Sequence, residues 1–299
     1  MSLDTHLPGR LRNTPLPRSH GLLPLFEAVV NSIHSINQIN TDPEYGEITI
    51  EIIRSLQSAL DLNNSKSKRG APPQENILGF KIIDNGAGFH DENMRSFETL
   101  DSEYKAQHGC RGVGRLLWLK TFENVIIESN FKDNSGKMKN RSFIFTTSLG
   151  ISKAIISDTI ENSKLRTCIY LSGFNKSYRE KSAKTARTIA NSLFEHCLWY
   201  FVRDGGAPKI KIKDDFELID LHDVYNEYMY SSSKKESIEV KGKKFEVTHL
   251  KLKASTAKQP FIAWCAASRV VEEESLSGKI LGLHGKIKDD DGDFIYACY

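Results

Sequence analysis

The apolar positions of this chain fall into two periods. From Leu22 to Ile36 they recur every three or four residues, with Pro24 in the first turn, which predicts an amphipathic helix. Ile77-Leu78-Gly79-Phe80-Lys81-Ile82-Ile83 is an apolar, β-branched run and predicts a buried strand that ends in Asp84. Residues 47–53, 123–131, 141–149 and 165–172 predict further strands, the second and third joined by the turn Asp133-Asn134-Ser135-Gly136. Leu116 to Phe122 predicts a helix, and 182–202 a longer one stopped by Arg203-Asp204-Gly205-Gly206. Asp91 to Phe97 opens on acidic residues, as the positive end of a helix dipole favours. Residues 1–20, punctuated by Pro8, Pro15 and Pro17, predict an extended arm, and 63–73 a solvated polar loop.

Beyond Pro208 the pattern changes. Lys209-Ile210-Lys211-Ile212-Lys213 alternates strictly, as a half-exposed strand does. Ile238-Glu239-Val240 and Lys244-Phe245-Glu246-Val247 flank Gly242 and predict a hairpin, and 261–267 predicts a buried strand. The last residues, Asp293 to Tyr299, again read as a strand, which predicts an effector region beyond them. Strands and helices in this order predict an α+β fold, a two-layer sandwich over 21–205 followed by a smaller α+β unit over 206–299.

Composition narrows the function classes. The apolar share of 39% and charged share of 26% are those of an ordinary globular chain. A net charge of +3 gives no electrostatic case for nucleic acid or membrane. Over 208–299, 15 Lys and Arg face 16 Asp and Glu, so the lysine-rich appearance of that part is cancelled. The apolar runs are too short for a membrane span, and the first residues lack the apolar centre of a signal peptide. Five scattered cysteines with no Cys-x-x-Cys predict a reduced, cytoplasmic setting.

Three stretches carry candidate chemistry. Asp84-Asn85-Gly86-Ala87-Gly88-Phe89 sets a carboxylate at a strand end with two glycines beside it, where bare backbone would let a flat ligand approach. Alone, it reads better as a turn signal. Gly109-Cys110-Arg111-Gly112-Val113-Gly114-Arg115 precedes a helix and would leave amide N–H groups for phosphate oxygens. Glu27 and Asn31 lie four apart on the first helix and share a face. They offer a carboxylate to deprotonate water and an amide oxygen for a hard cation, or simply an exposed polar pair.

Taken in this order the motifs resemble those of the GHKL ATPases, the family of gyrase, the MutL mismatch-repair proteins, the ninety-kilodalton heat-shock chaperones and the histidine kinases. Glu27-x-x-x-Asn31 is similar to the family's N-box, Asp84-x-Gly86-x-Gly88 to its adenine motif, and Gly109-x-x-Gly112-x-Gly114 to its lid motif. Thr167 lies in a strand resembling the one whose Thr supports adenine, with Arg166 where the family usually has Gly. The resemblance implies a Bergerat ATP-binding fold with a lid over 89–115 and a transducer-like unit after it. It implies ATP and Mg²⁺ as ligands. Asp84 would accept from the adenine amino group, Asn31 would help hold Mg²⁺, and Glu27 would be the general base. Gly109, Arg111, Gly112, Val113 and Gly114 would steady the phosphates, with Lys105 as the lid cation and Arg111 and Arg115 as rivals for that role.

Histidine kinases typically lack a glutamate at the place of Glu27, so the hydrolysing branch is implied: a slow ATPase that closes its lid and dimerises as a clamp or switch for a C-terminal effector or partner protein. A chaperone-like ATPase acting on protein clients and a non-hydrolysing nucleotide-binding scaffold are the alternatives.

Overall fold

The computed structural model describes residues 6–39, 45–55, 76–99, 114–160, 162–215, 217–253, 259–266, 269–281, 283, 285–289 and 292–299. Within them the chain runs α1 (Leu7–Asn13), a 3-10 turn (Arg18–His20), α2 (Leu23–Asn37), β1 (Glu47–Arg54), β2 (Ile77–Asp84), α3 (Asp91–Glu98) and α4 (Gly114–Thr121). It continues β3 (Phe122–Lys132), β4 (Met138–Thr146), β5 (Gly150–Ile151), β6 (Ile155–Asp158), β7 (Arg166–Phe174), α5 (Lys176–Arg179) and α6 (Ala186–Val202). The rest is β8 (Lys209–Asp214), β9 (Glu217–Asp220), α7 (Leu221–Tyr228), β10 (Lys234–Val240), β11 (Lys243–Lys253), β12 (Phe261–Ala266), β13 (Arg269–Ser275), β14 (Ile287–Asp289) and β15 (Gly292–Cys298). The fold is α+β, as the pattern predicts.

The larger sheet has the order β5-β4-β3-β7-β2-β1-β8-β9, with β6 also on β4. Strand β8 joins β1 in parallel, and the other described pairs in this sheet are antiparallel. Register stacks the inward residues in rows across the strands. Ile212, Ile50, Ile82, Ile169 and Ile127 form one row, and Ile52, Phe80, Leu171 and Val125 form the next. Ala28, Val29, Ile33 and Ile36 of α2, Leu116 and Trp118 of α4, and Ile189, Leu193 and Phe194 of α6 close over them in one apolar core. Each such fully buried aliphatic side chain contributes about 1.5–3 kcal/mol. The Trp118 indole N–H donates to the Pro24 carbonyl at 3.0 Å and ties α4 to the start of α2.

The smaller sheet has the order β10-β11-β15-β12-β13, with β14 on β15. The predicted hairpin about Gly242 is β10–β11. Its two-residue turn uses positive φ at Lys241 and Gly242, which suits the right-handed twist of the strands.

Several details differ from the expectation. The first residues are not simply extended: α1 is helical because Pro8 sits in a first turn, where its missing N–H costs nothing, and His6 accepts from Gly9 N–H as a cap. Leu11 is buried, and the Tyr178 hydroxyl donates to the Leu16 carbonyl, so the segment docks on its own chain. The long helix begins at Ala186, four residues late, where the Thr185 side chain caps it. Strand β12 is buried only at Phe261 and Ala263, with Trp264 exposed. Strands β8 and β9 belong to the larger sheet, which therefore runs past residue 205, where the sequence places the break between units. Among the described residues no helix is long and apolar enough to cross a membrane.

Candidate active site

One row of the larger sheet breaks the apolar rule. At the end of β2, register sets Asp84 between Ile48 and Thr167, and Thr167 beside Ser129 of β3. Asp84, Thr167 and Ser129 are all buried on the face that the helices cover. Thr167 and Ser129 share a hydrogen bond of 3.0 Å between their hydroxyls. Asp84 accepts at Oδ2 from Ser32 Oγ of α2 (2.8 Å) and at Oδ1 from Gly86 N–H (2.9 Å). Burial pushes its carboxyl up to about 6, against those two hydrogen bonds, which pull it down. Among the described residues it has no cationic partner. A buried carboxylate left without a cation is costly, and such groups cluster at functional sites.

The turn after Asp84 is fastened by four elements, α2, β3, α3 and β4. Ala87 N–H donates to the Ser35 carbonyl (3.0 Å), Gly88 N–H to Ser35 Oγ (3.2 Å) and Phe89 N–H to Ser129 Oγ (3.0 Å). Asn93 of α3 donates to the Gly88 carbonyl at 2.7 Å. Arg141 of β4, itself buried, donates to the Phe89 carbonyl and to Asp91, each at 2.6 Å. This fastening corrects the reason expected for the two glycines. A Cβ on Gly86 would lie 2.5 Å from Ser35 Oγ and 2.7 Å from the Ser35 carbonyl carbon, so the bare backbone there serves contact with α2. Gly88 has φ +74°, a left-handed conformation that a side chain strains, and its Cβ would meet Ser129 Oγ at 2.6 Å. The protein itself fills the space beside both.

Helix α2 runs from this turn to α4. Glu27, Asn31 and Ser35, at four-residue spacing, form one stripe along it. Ser35 holds the glycine turn at one end. At the other, Glu27 Oε2 lies 2.7 Å from where a Cβ on Gly114 would be, so the first residue of α4 leaves room for that oxygen. The positive end of α4 favours the charge there. The other oxygen, Oε1, faces His196 Nε2 of α6 at 3.9 Å, with side-chain exposures of 19% for Glu27 and 30% for His196. The His196 ring lies on Phe26, centroids 5.5 Å apart. Asn31 is exposed between the two ends and makes no side-chain hydrogen bond to a described residue.

Of the lid residues, Lys105, Gly109, Arg111, Gly112 and Val113 lie outside the described residues. Arg115 does not match its expected role as a lid cation: it is buried, with Nη1 on the Ser96 carbonyl (2.9 Å), Nη2 on the Thr99 carbonyl (2.6 Å) and its charge over the Phe97 ring. It thereby ties the end of α3 to the start of α4. Among the described residues no cluster of three His, Cys, Asp or Glu could hold a metal. A single amide oxygen on an exposed stripe suits Mg²⁺, which keeps most of its ligands as water and phosphate oxygens.

No protein-family model and no curated protein matches the chain. Among solved structures it is similar to the 43K ATPase domain of Thermus thermophilus gyrase B, crystallised in complex with an aminocoumarin. The TM-score is 0.44 at 10% identity, and the alignment covers 81% of this chain and 59% of that one. The chain thus spans about three-fifths of the length of that domain.

Several residues of the site escape the sequence motifs. Ser129 occupies the inward phase of β3, between Ile127 and Phe131, and a polar residue at an apolar position was the available signal. Ser32 is a small polar residue set inward on a helix, also a departure from pattern, while Ser35 is half-buried on the stripe of Glu27 and Asn31. His196 and Arg141 come from distant elements, and only the tertiary fold brings them in.

Proposed function

We propose that this chain binds ATP with Mg²⁺ and hydrolyses it, as a member of the hydrolysing branch of the GHKL ATPases. The observation that supports the reading is the buried polar row Asp84–Thr167–Ser129, joined through Ser32 to the helix that carries Glu27 and Asn31. Residues far apart in the chain converge on one strand end, and the one charge among them lacks a cation among the described residues. A carboxylate in that place accepts a hydrogen bond from an exocyclic amino group, the feature that distinguishes adenine from guanine at its six-position.

Asp84 would receive the adenine amino group, with Thr167 and Ser129 holding the ring edge beside it. Asn31 would hold Mg²⁺, which when bound offsets phosphate charge in the transition state. Glu27 Oε2 takes the proton of the attacking water while the stripe on α2 holds that water in line. By the resemblance to the family's lid motif, the amides of 109–115 would be the donors to the terminal phosphate. Closure of the segment between α3 and α4, pairing of two copies and coupling to a C-terminal effector or partner protein belong to the same reading.

Single-turnover hydrolysis compared between wild type and Glu27→Ala tests it. The variant keeps ATP binding and loses about 10²–10⁴-fold in rate, the usual worth of a general base. Equal rates would remove Glu27 from the mechanism and the hydrolytic reading with it.

A further inference from the structure

We infer that His196 is the positioning residue for the Glu27 carboxylate. The inference rests on the ATP reading above, and it concerns a residue on α6, far in sequence from the motif that contains Glu27. The two carboxylate oxygens face different partners. Oε1 points at His196 Nε2, 3.9 Å away, and Oε2 occupies the space that Gly114 leaves by having no side chain. The terminal torsion of a glutamate is broad, so the side chain alone does not fix the plane of the carboxylate and the direction of the lone pairs toward the reacting water. A donor on the Oε1 side fixes it. Neutral imidazole with its proton on Nε2 is enough, and the charged form adds attraction. The distance is that of an ion pair rather than a hydrogen bond, and catalytic contacts commonly tighten from such a spacing when substrate is bound.

The imidazole is itself held. Its ring lies on Phe26, the residue next to Glu27, with an interplanar angle of 38°. One turn further along α6, the Tyr200 hydroxyl meets His34 of α2 at 2.9 Å and anchors the two helices at a second point. Glu27's charge also reaches the neighbouring buried Cys197, where it adds to the effect of burial in pushing that thiol up. The arrangement is the general one in which a base is oriented by a third group behind it. A ring that merely fills space on Phe26 would be replaceable by phenylalanine, and that is the basis of the test.

The experiment uses the full 299-residue chain in four variants: His196→Phe, His196→Gln, Glu27→Ala and the double variant Glu27→Ala/His196→Phe. The readouts are ATP affinity by titration, and kcat and KM for ATP with Mg²⁺. His196→Phe keeps a ring against Phe26 and loses the donor. It lowers kcat roughly 10–100-fold, the usual range for a group acting behind a first contact, and leaves ATP affinity within about twofold. His196→Gln, whose amide nitrogen lies near the place of Nε2, recovers most of that loss. In the Glu27→Ala background His196→Phe costs nothing further, because the two residues act as a unit.

A wild-type rate in His196→Phe, a raised KM at unchanged kcat, a glutamine variant as slow as the phenylalanine one, or a further loss in the double variant would each overturn the inference. In all four cases the ATP reading stands so long as Glu27→Ala is inactive. A wild-type chain that neither binds nor hydrolyses ATP would instead overturn both.

Discussion

Replacing Asp84 by asparagine should make the empty protein more stable while it loses adenine nucleotide. The carboxyl is buried at 3% exposure and raised from an ordinary 3.8 to about 6, with burial as the main cause. Because its native value lies above its unfolded one, the charged form is disfavoured by folding. The cost is absent below the unfolded value of 3.8 and complete above about 6. At pH 7.5 it amounts to about 3 kcal/mol, falling to about 1.5 kcal/mol at pH 5 and about 0.5 kcal/mol at pH 4. Asparagine has the same shape and carries no charge. Its Oδ1 still accepts from Gly86 N–H, and its amide nitrogen donates to Ser32 Oγ in place of the present bond. Asp84→Asn therefore recovers most of the cost, roughly 1–3 kcal/mol at pH 7.5, or up to about 5 °C in melting temperature for a chain of this size. The assay is chemical denaturation of both proteins at pH 7.5, 5 and 4 without nucleotide, with ATP affinity measured alongside. The gap should close as pH falls. A variant less stable than wild type by the same amount at every pH would refute the reasoning, since Asp84 would then be a structural acceptor and no strained ligand group.

Other outcomes follow from the same geometry. Gly88→Ala places a side chain at φ +74° and 2.6 Å from Ser129 Oγ, and should cost about 1–3 kcal/mol in a denaturant titration. Arg115→Met removes the charge-assisted bonds to the Ser96 and Thr99 carbonyls. It should cost about 2–4 kcal/mol and raise amide exchange in α3 before the larger sheet is affected.

Strand β2 was legible as a continuous apolar run, while β1 and β3 were legible because one face of the larger sheet is buried and the other is not, so period two is written into them. Helix α2 was legible for the matching reason, a single apolar face. Asp84, Glu27 and Asn31 stood out as polar residues at the ends or exposed faces of such patterns. What hid was of two kinds. Ser129 is an inward-facing polar residue whose meaning depends on the register that sets it beside Thr167, and register is a property of pairs of strands. His196, Arg141 and Arg115 act across elements, and no local spacing encodes where α6 or β4 will lie. Gly86 and Gly88 were legible as necessary but for another cause. A sequence shows that a Cβ is missing, and only the fold shows that Ser35 and Ser129 occupy the space. The short helix α1 was hidden by Pro8, a residue that breaks a helix interior but suits a first turn.

The measurement that bears most directly on the central claim is the ratio of ATP to GTP affinity, with Mg²⁺, in wild type and in Asp84→Asn. Guanine presents a carbonyl where adenine presents an amino group, so the wild-type carboxylate would face an acceptor with an acceptor. Wild type should prefer ATP by at least about tenfold, the consequence of leaving a buried polar pair unmatched, and Asp84→Asn should narrow or abolish the preference because its amide can donate to that carbonyl. Equal affinity of wild type for the two nucleotides, a preference unchanged in Asp84→Asn, or no nucleotide binding at all would contradict the account.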